Sequence, residues 1–553
     1  MLSQLPVEIV LCTFSHLPIT ALVELRLVSK EWKALFDEND EAIFHQAAVY
    51  HEYIPSLATM IFDLPLLYPK RYVMGVTSWR ALFRRVIDIS RSWEGRGPSI
   101  ITKHSADTRV HRFKVDEQAG YIIHTSSLGS LTVSDLSSGQ ILWELGCGMR
   151  YVRRYAHCEY GEGYIMFDRY DGSKEVWRRA CDFDADTPCT ASPPDILQIE
   201  SSAHARRLSQ TDTRGHFKPW ALLRMPVPTR AYRFVYPILL VAGTEAAFLW
   251  DVPSGRLVLT IEGLQPDDLP VDGTLNINYV ELSDRHAFIC MTDGLRVFSR
   301  ESGACVLVIP STKDIYGEWA YSLGPTQYSI DVPMDSALLP LIVERTRIHG
   351  VDNRVIHDTY VAAHVSSCGS NLVCMLKNSR LIIIYGFERL ISGTATLREI
   401  ALDVQLGSPM YSSVYLAFEH GRIGMVTTTG VFVVCPDFDS ADPPHLDVCR
   451  ILTFTSRFYL PSTSCLQMTR TGLFLNWPVH SWDPMDLEDG MDWFNETLEE
   501  PPCYIEQEDG SLVPDAHPVF ETRSSSAIYE VNFVRSLYDP EAVQVDLSRR
   551  STL

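Results

Sequence analysis

The chain has 553 residues, 46% of them hydrophobic, and a formal net charge of −21. That length is about three times a usual single core, so two or more units are expected, and no apolar run reaches the ~18 residues that span a bilayer. The negative charge argues against non-specific nucleic-acid binding. Thirteen scattered cysteines, without a CxxC pair or a histidine at zinc-finger spacing, argue against a disulfide framework and a structural zinc site. The composition fits an intracellular protein, cytoplasmic or nuclear, with no membrane or nucleic-acid partner, no cofactor and no metal.

The chain opens on a helical segment. Pro6 suits a first helical position, and Glu8 in the same turn favours the positive end of the helix dipole. Pro18 ends this helix. Beyond it Leu22, Leu25, Val28, Trp32 and Leu35 recur at steps of three and four, the period of a second amphipathic helix. Two short helices cannot bury both of their apolar faces alone, so the segment needs a partner surface.

The set Leu5-Pro6, Glu8-Ile9, Leu17, Leu22, Leu25, Val28, Lys30 and Trp32 resembles an F-box; Thr13 and Phe44 depart from the aliphatic residue and the Trp usual there. The resemblance implies that residues 1–46 bind the adaptor subunit of an SCF-type (cullin-RING) ubiquitin ligase. The implied contact residues are Leu5, Pro6, Ile9, Leu17, Leu22, Leu25, Val28 and Trp32.

Residues 47–96 continue as helix. Trp79, Leu82, Phe83, Val86 and Ile89 share one face, with Arg80, Arg84 and Arg85 beside it. Trp93 and the short turn to Gly97 resemble the joint between F-box and propeller in F-box/WD-repeat proteins.

From about Gly97 the period becomes that of strands. Residues 121–145, 163–180, 239–261, 287–309, 371–393 and 422–438 each hold short apolar runs punctuated by Gly, Ser, Asp or Asn, and units of roughly 40 residues of this kind mark propeller blades. The turn Asp-x-x-Ser-Gly recurs at Asp135 and Asp251, the second following Trp250 as in the WD dipeptide. The units resemble a degenerate WD-repeat propeller. Allowing one more blade from 311–358 or 450–478 gives seven, with eight as the alternative; a stack of β-sandwiches is the competing fold. The fold class expected is α+β multidomain: F-box, linker helices at 47–96, and a propeller over 97–480.

Three regions interrupt the repeats. Residues 182–228, rich in Pro, Ser, Thr and Asp, read as a surface excursion, with a basophilic kinase motif ending at Ser209 as a candidate phosphosite. Residues 311–358 are poorly patterned. In the tail, residues 481–553, 17 acids face four arginines and no lysine, which accounts for −13 of the net charge. Within it, 528–534 alternates as a strand that would close the ring.

No GxSxG, HExxH or phosphate loop is present, so an enzyme is not expected. Arg-x-x-Arg recurs before three strands, as Arg109/Arg112, Arg150/Arg153 and Arg230/Arg233. Equivalent positions in successive blades lie around one rim, so these arginines are candidates to hold a phosphorylated or acidic protein substrate. The reading is a non-catalytic substrate receptor of the ligase; a scaffold acting outside ubiquitination and a propeller hydrolase are the alternatives.

Overall fold

The computed structural model describes residues 6–104, 109–146, 151–183, 190–208, 214–266, 275–311, 317–324, 335–347, 358–437, 444–478, 504–506, 512–514 and 526–534. Leu5, Arg150, Ser209 and the acidic stretch 483–500 lie outside them.

Six helices come first: α1 (Val7–Ser15), α2 (Ile19–Leu25), α3 (Lys30–Tyr50), α4 (Leu64–Leu67), α5 (Lys70–Val73) and α6 (Trp79–Trp93). The apolar period from Leu22 to Leu35 is therefore two helices rather than one. The break lies at residues 26–29, where Ser29 accepts a bond from the Trp32 amide at 3.2 Å and caps a new helix. Helix α3 then runs past the boundary expected at residue 46, with non-helical backbone at Asn39. Ser78 caps α6 in the same way, accepting from the Ala81 amide at 3.2 Å.

Among the described residues seven blades follow, each built on antiparallel strands, with one added parallel pair in blade 5. Blades 1 to 4 are each four strands in chain order, beginning at the innermost strands Val110–Asp116, Cys158–Gly161, Ala231–Val235 and Ile277–Leu282. Blade 5 begins at Tyr360–Val365 and blade 6 at Ser413–Glu419. Blade 7 is assembled from three distant pieces: Leu466–Met468 innermost, then Gly472–Pro478, Ser526–Asn532 and, outermost, Ile100–His104 from the start of the propeller. Pairing the two ends of the ring in one sheet leaves no open edge at the joint.

Two expectations are corrected. Residues 182–228 are not a plain excursion: they contain the helix Ile196–Leu208 and the strand Phe217–Leu223, the outermost of blade 2. Pro219 disguised that strand, and proline is tolerated on an edge. Nor do residues 311–358 make a blade. Trp319–Leu323 and Val343–Arg347 extend the outer edge of blade 5, and Leu338–Leu341 extends that of blade 6.

The Asp-x-x-Ser-Gly turns work by local capping. The Asp135 carboxylate accepts from the backbone amides of Ser137 and Ser138 at 2.9 and 2.7 Å, and Asp251 from that of Ser254 at 2.9 Å. Gly139 and Gly255 then take φ of 70° and 67°, where a side chain is strained.

Candidate binding surfaces at the two ends of the propeller

The innermost strands run in one direction around the channel. Cys465 and Gln467 of blade 7 meet Phe113 and Val115 of blade 1 in the same order, at 3.4 Å for the thiol and 2.8 and 3.2 Å for the amide. Loops that lead into innermost strands therefore share one face of the disc, the mouth face. Loops between first and second strands share the other.

The helical segment packs on that other face at blades 6, 7 and 1. Arg71 of α5 donates to Glu530 of blade 7 at 2.5 Å and to Glu117 of blade 1. Glu530 is bonded in turn to His104 at 3.0 Å. Trp93, wholly buried, lies 3.9 Å from the Phe533 ring between centroids, and its indole donates to the Arg470 carbonyl at 3.4 Å. One continuous apolar core joins Val10, Phe14 and Phe44 through Trp79 and Trp93 to Val431, Leu473 and Tyr529. F-box-like helices, linker and blades 6 and 7 are thus packed as one body.

The first helices leave several apolar side chains uncovered. Ile9 is 53% and Val28 65% exposed, with Val7, Leu27 and Pro6 exposed beside them. The eight residues expected to contact a partner divide here. Leu22 is fully buried in the protein's own core, so it supports the surface rather than forming it. Leu17, Leu25 and Trp32 are half-buried against the same core, Trp32 5.2 Å from the Phe14 ring. Val7 and Leu27 went unnoticed in the sequence, because a three-and-four period marks apolar positions without saying which face is covered.

The channel is lined by charge. Glu159 of blade 2 is buried and accepts from Lys114 at 3.0 Å, His157 at 2.9 Å and Arg233 at 3.4 Å. Arg233 also donates to Glu281 of blade 4 at 3.0 Å, and the His364 ring of blade 5 lies 2.6 Å from Glu281 and 3.0 Å from the Leu416 carbonyl of blade 6. Burial alone would push both carboxyls up, but Lys114 and Arg233 outweigh it at Glu159, and Arg233 and His364 at Glu281. Both are held below the ordinary range.

Arg112 behaves differently. It sits two residues nearer the mouth than Lys114, one pleat or about 7 Å along the strand. Its Nε and Nη1 are buried without a hydrogen-bond partner, and the guanidinium lies 5.5 Å over the Tyr415 ring. The groups that act on it most strongly, after burial, are Tyr415, Cys465, Cys158 and Tyr279, none of them a carboxylate.

The candidate arginines therefore do not form one rim. Arg112 and Arg233 face the channel, Arg233 as a structural ion-pair partner. Arg153 and Arg230 are exposed on the mouth face, and Arg109, half-buried, precedes the first strand of blade 1. An Arg at the third position of an innermost strand points inward, whereas one before the strand stays in the loop; the three-residue spacing mixed the two.

Among the described residues no group of His, Cys, Asp and Glu is placed to hold a metal ion, and no helix is long and apolar enough to cross a membrane.

The family model of the F-box domain matches residues 2–42. No curated protein matches the chain significantly in sequence. Among solved structures, Raptor of Chaetomium thermophilum aligns over 84% of this chain and 37% of its own, with 11% identity and a TM-score of 0.41. The Cps50 (Swd1) β-propeller domain of Myceliophteria thermophila aligns over 68% and 96%, with 8% identity and a TM-score of 0.41. The computationally designed Ika8 protein aligns over 68% and 96%, with 12% identity and a TM-score of 0.36. At such scores the seven-bladed ring stands on its own strand pairing.

Proposed function

We propose that this F-box protein with a seven-bladed β-propeller is the substrate-recognition subunit of an SCF-type cullin-RING ubiquitin ligase. F-box domains bind the adaptor of such ligases, and the uncovered surface of Pro6, Val7, Ile9, Leu27 and Val28 is where that adaptor docks. The observation that carries the reading is the packing of the F-box helices and the linker onto blades 6 and 7 through one continuous core, with apolar residues of the first helices left exposed. A substrate held at the mouth is then presented at a fixed distance and angle to a ubiquitin-loaded enzyme brought by the ligase. The chain supplies proximity, which raises effective concentration without chemistry of its own.

The mouth suits an anionic protein substrate. Arg153 and Arg230 are exposed there, and exposed charges lose reach beyond about 8 Å at physiological ionic strength, so capture weakens with salt. The test is affinity co-purification of the intact chain against Ile9→Asp/Val28→Asp and Arg153→Glu/Arg230→Glu variants. The first variant should lose the adaptor and keep its substrates; the second should do the reverse. Loss of neither class in either variant overturns the reading.

A further inference from the structure

The linker helices leave an apolar surface of their own, apart from that of the first helices. Leu64 of α4 and Tyr68 at its end, four positions apart, are buried in the core. The rest of that stretch is apolar too: Leu66 is 78% and Phe62 72% exposed, and Leu57, Met60 and Leu67 are exposed with them. Five large apolar side chains turned to solvent within residues 57–67 mark an interaction site rather than the scattered apolar residues of an ordinary surface. An open groove of about 260 Å³ runs between Pro55, Thr59, Asp63 and Leu66. That is smaller than the ~300–1,000 Å³ of small-molecule sites and suits the side chains of a polypeptide.

The chain leaves the ring on this same face. The last strand of blade 7 ends at Asn532, the Phe533 amide donates to the Thr471 carbonyl at 2.8 Å, and Phe533 packs on Trp93. Arg470, beside Thr471, lies 5.3 Å over the Tyr68 ring, and Tyr68 directly follows Leu67. Gln118, in the turn after the first strand of blade 1, donates to the Pro65 carbonyl at 2.9 Å, which holds the patch to that side. The way from Val534 to the patch therefore passes Arg470. Arg470 and Lys70 are exposed, and neither has a carboxylate partner among the described residues.

Residues 535–553 lie outside the described ones, and their sequence matches this path in order. Asp539 and Glu541 come first. Val543, Val545 and Leu547 then alternate with Gln544 and Asp546, a period of two with one apolar face. Val543 stands nine residues beyond Val534, up to about 30 Å of extended chain.

We infer that residues 539–547 dock on the linker of the same molecule, with Asp539 and Glu541 against Arg470 and Lys70, and with Val543, Val545 and Leu547 on Phe62, Leu66 and Leu67. A tethered segment meets the patch at a high effective concentration, so a modest contact is enough to hold it. Docked there, it ties the linker helices to blade 7 by a further contact besides those of Arg71 and Trp93, and it covers a surface that would otherwise be open to a second copy or another protein.

The test is hydrogen–deuterium exchange of the purified full chain, read by mass spectrometry at a low and a high protein concentration. In wild type the amides of residues 542–548 should exchange more slowly than in a synthetic peptide of residues 535–553, and equally so at both concentrations. Phe62→Ser/Leu66→Ser, which alters only exposed side chains, should abolish that protection. Val543→Ser/Val545→Ser/Leu547→Ser should speed exchange in residues 57–67. Asp539→Lys/Glu541→Lys should weaken protection of both segments, and added salt should do the same in wild type. Exchange of 542–548 at the free-peptide rate in wild type, or protection that survives in the Phe62→Ser/Leu66→Ser variant, overturns the inference. Protection that grows with protein concentration would assign the patch to a second copy, and protection of 57–67 only after the adaptor is added would assign it to the adaptor; either result overturns docking within one molecule.

Discussion

The two faces of the propeller disc are finished in opposite ways. On one, Arg71 is clamped between Glu117 and Glu530, with only its Nε left without an acceptor, and Trp93 is driven against Phe533. On the other, Arg112 keeps buried N–H groups with no acceptor, and Met410 and Phe458 stand in solvent. Interactions already satisfied hold the fold; those left open are available to a partner. The same arginine side chain thus stands between two carboxylates at one end and over a tyrosine ring at the other.

The face that carries the helices should break hardest. Replacing Arg71 by Met strands two buried carboxylates, and breaking a buried pair in this way costs about 3–5 kcal/mol. Trp93→Ala, which empties a fully buried site at the joint, should cost about as much. Urea unfolding of the full chain measures both; a loss under about 1 kcal/mol in both variants would mean that the helices are not tied to the ring as described.

Acid should loosen the molecule. Burial holds His111 and His124 near pKa values of about 4, against an ordinary 6.5. The unfolded chain therefore takes up their protons first, and their contribution to stability declines as pH falls from 6.5 toward 4. Burial would raise Glu530, but Arg71 and His104 override it and hold it below its ordinary 4.5. Its contribution is complete above 4.5 and is lost as pH falls through the depressed folded value, as are those of Glu159 and Glu281. Glu175, which burial raises to about 7, acts in the opposite sense between 7 and 4.5, so urea midpoints should fall most steeply below 4.5; an unchanged midpoint between pH 5 and 4 contradicts the assignment.

Smaller effects belong to the turns and the mouth. Asp251→Ala removes the acceptor for the Ser254 amide and should cost about 1–2 kcal/mol. Arg112→Met should change stability by about 0.5 kcal/mol or less, or raise it, because the groups acting most strongly on this guanidinium are tyrosines and cysteines rather than carboxylates. A loss comparable to that of Arg71→Met would show that Arg112 is structural and would close the gap between the two faces.

Much of this organisation was legible in the sequence. The outer strands of six blades are near-continuous apolar runs ended by turn residues, as in residues 239–261, and the capped turns at Asp135 and Asp251 repeat with them. The innermost strands were not legible, because alternate side chains face a charged channel: His111-Arg112-Phe113-Lys114-Val115 reads as a basic loop until Arg112 and Lys114 are seen to point inward. Blade 7 was hidden for another reason, since its four strands are gathered from residues 100–104, 466–478 and 526–532 and no local period links them. At the F-box end the apolar positions were legible, but their exposure was not; Leu22 and Val28 share a pattern and lie on opposite sides of the surface.

The central claim is that the adaptor docks on the exposed apolar surface of the first helices. Titration calorimetry of the purified chain with the SCF adaptor tests it directly, comparing wild type with Ile9→Asp/Val28→Asp, two substitutions at positions already in solvent. The account predicts binding by wild type and a loss of about 2–4 kcal/mol or more in the variant, with unfolding unchanged. Wild-type affinity in the variant would contradict it.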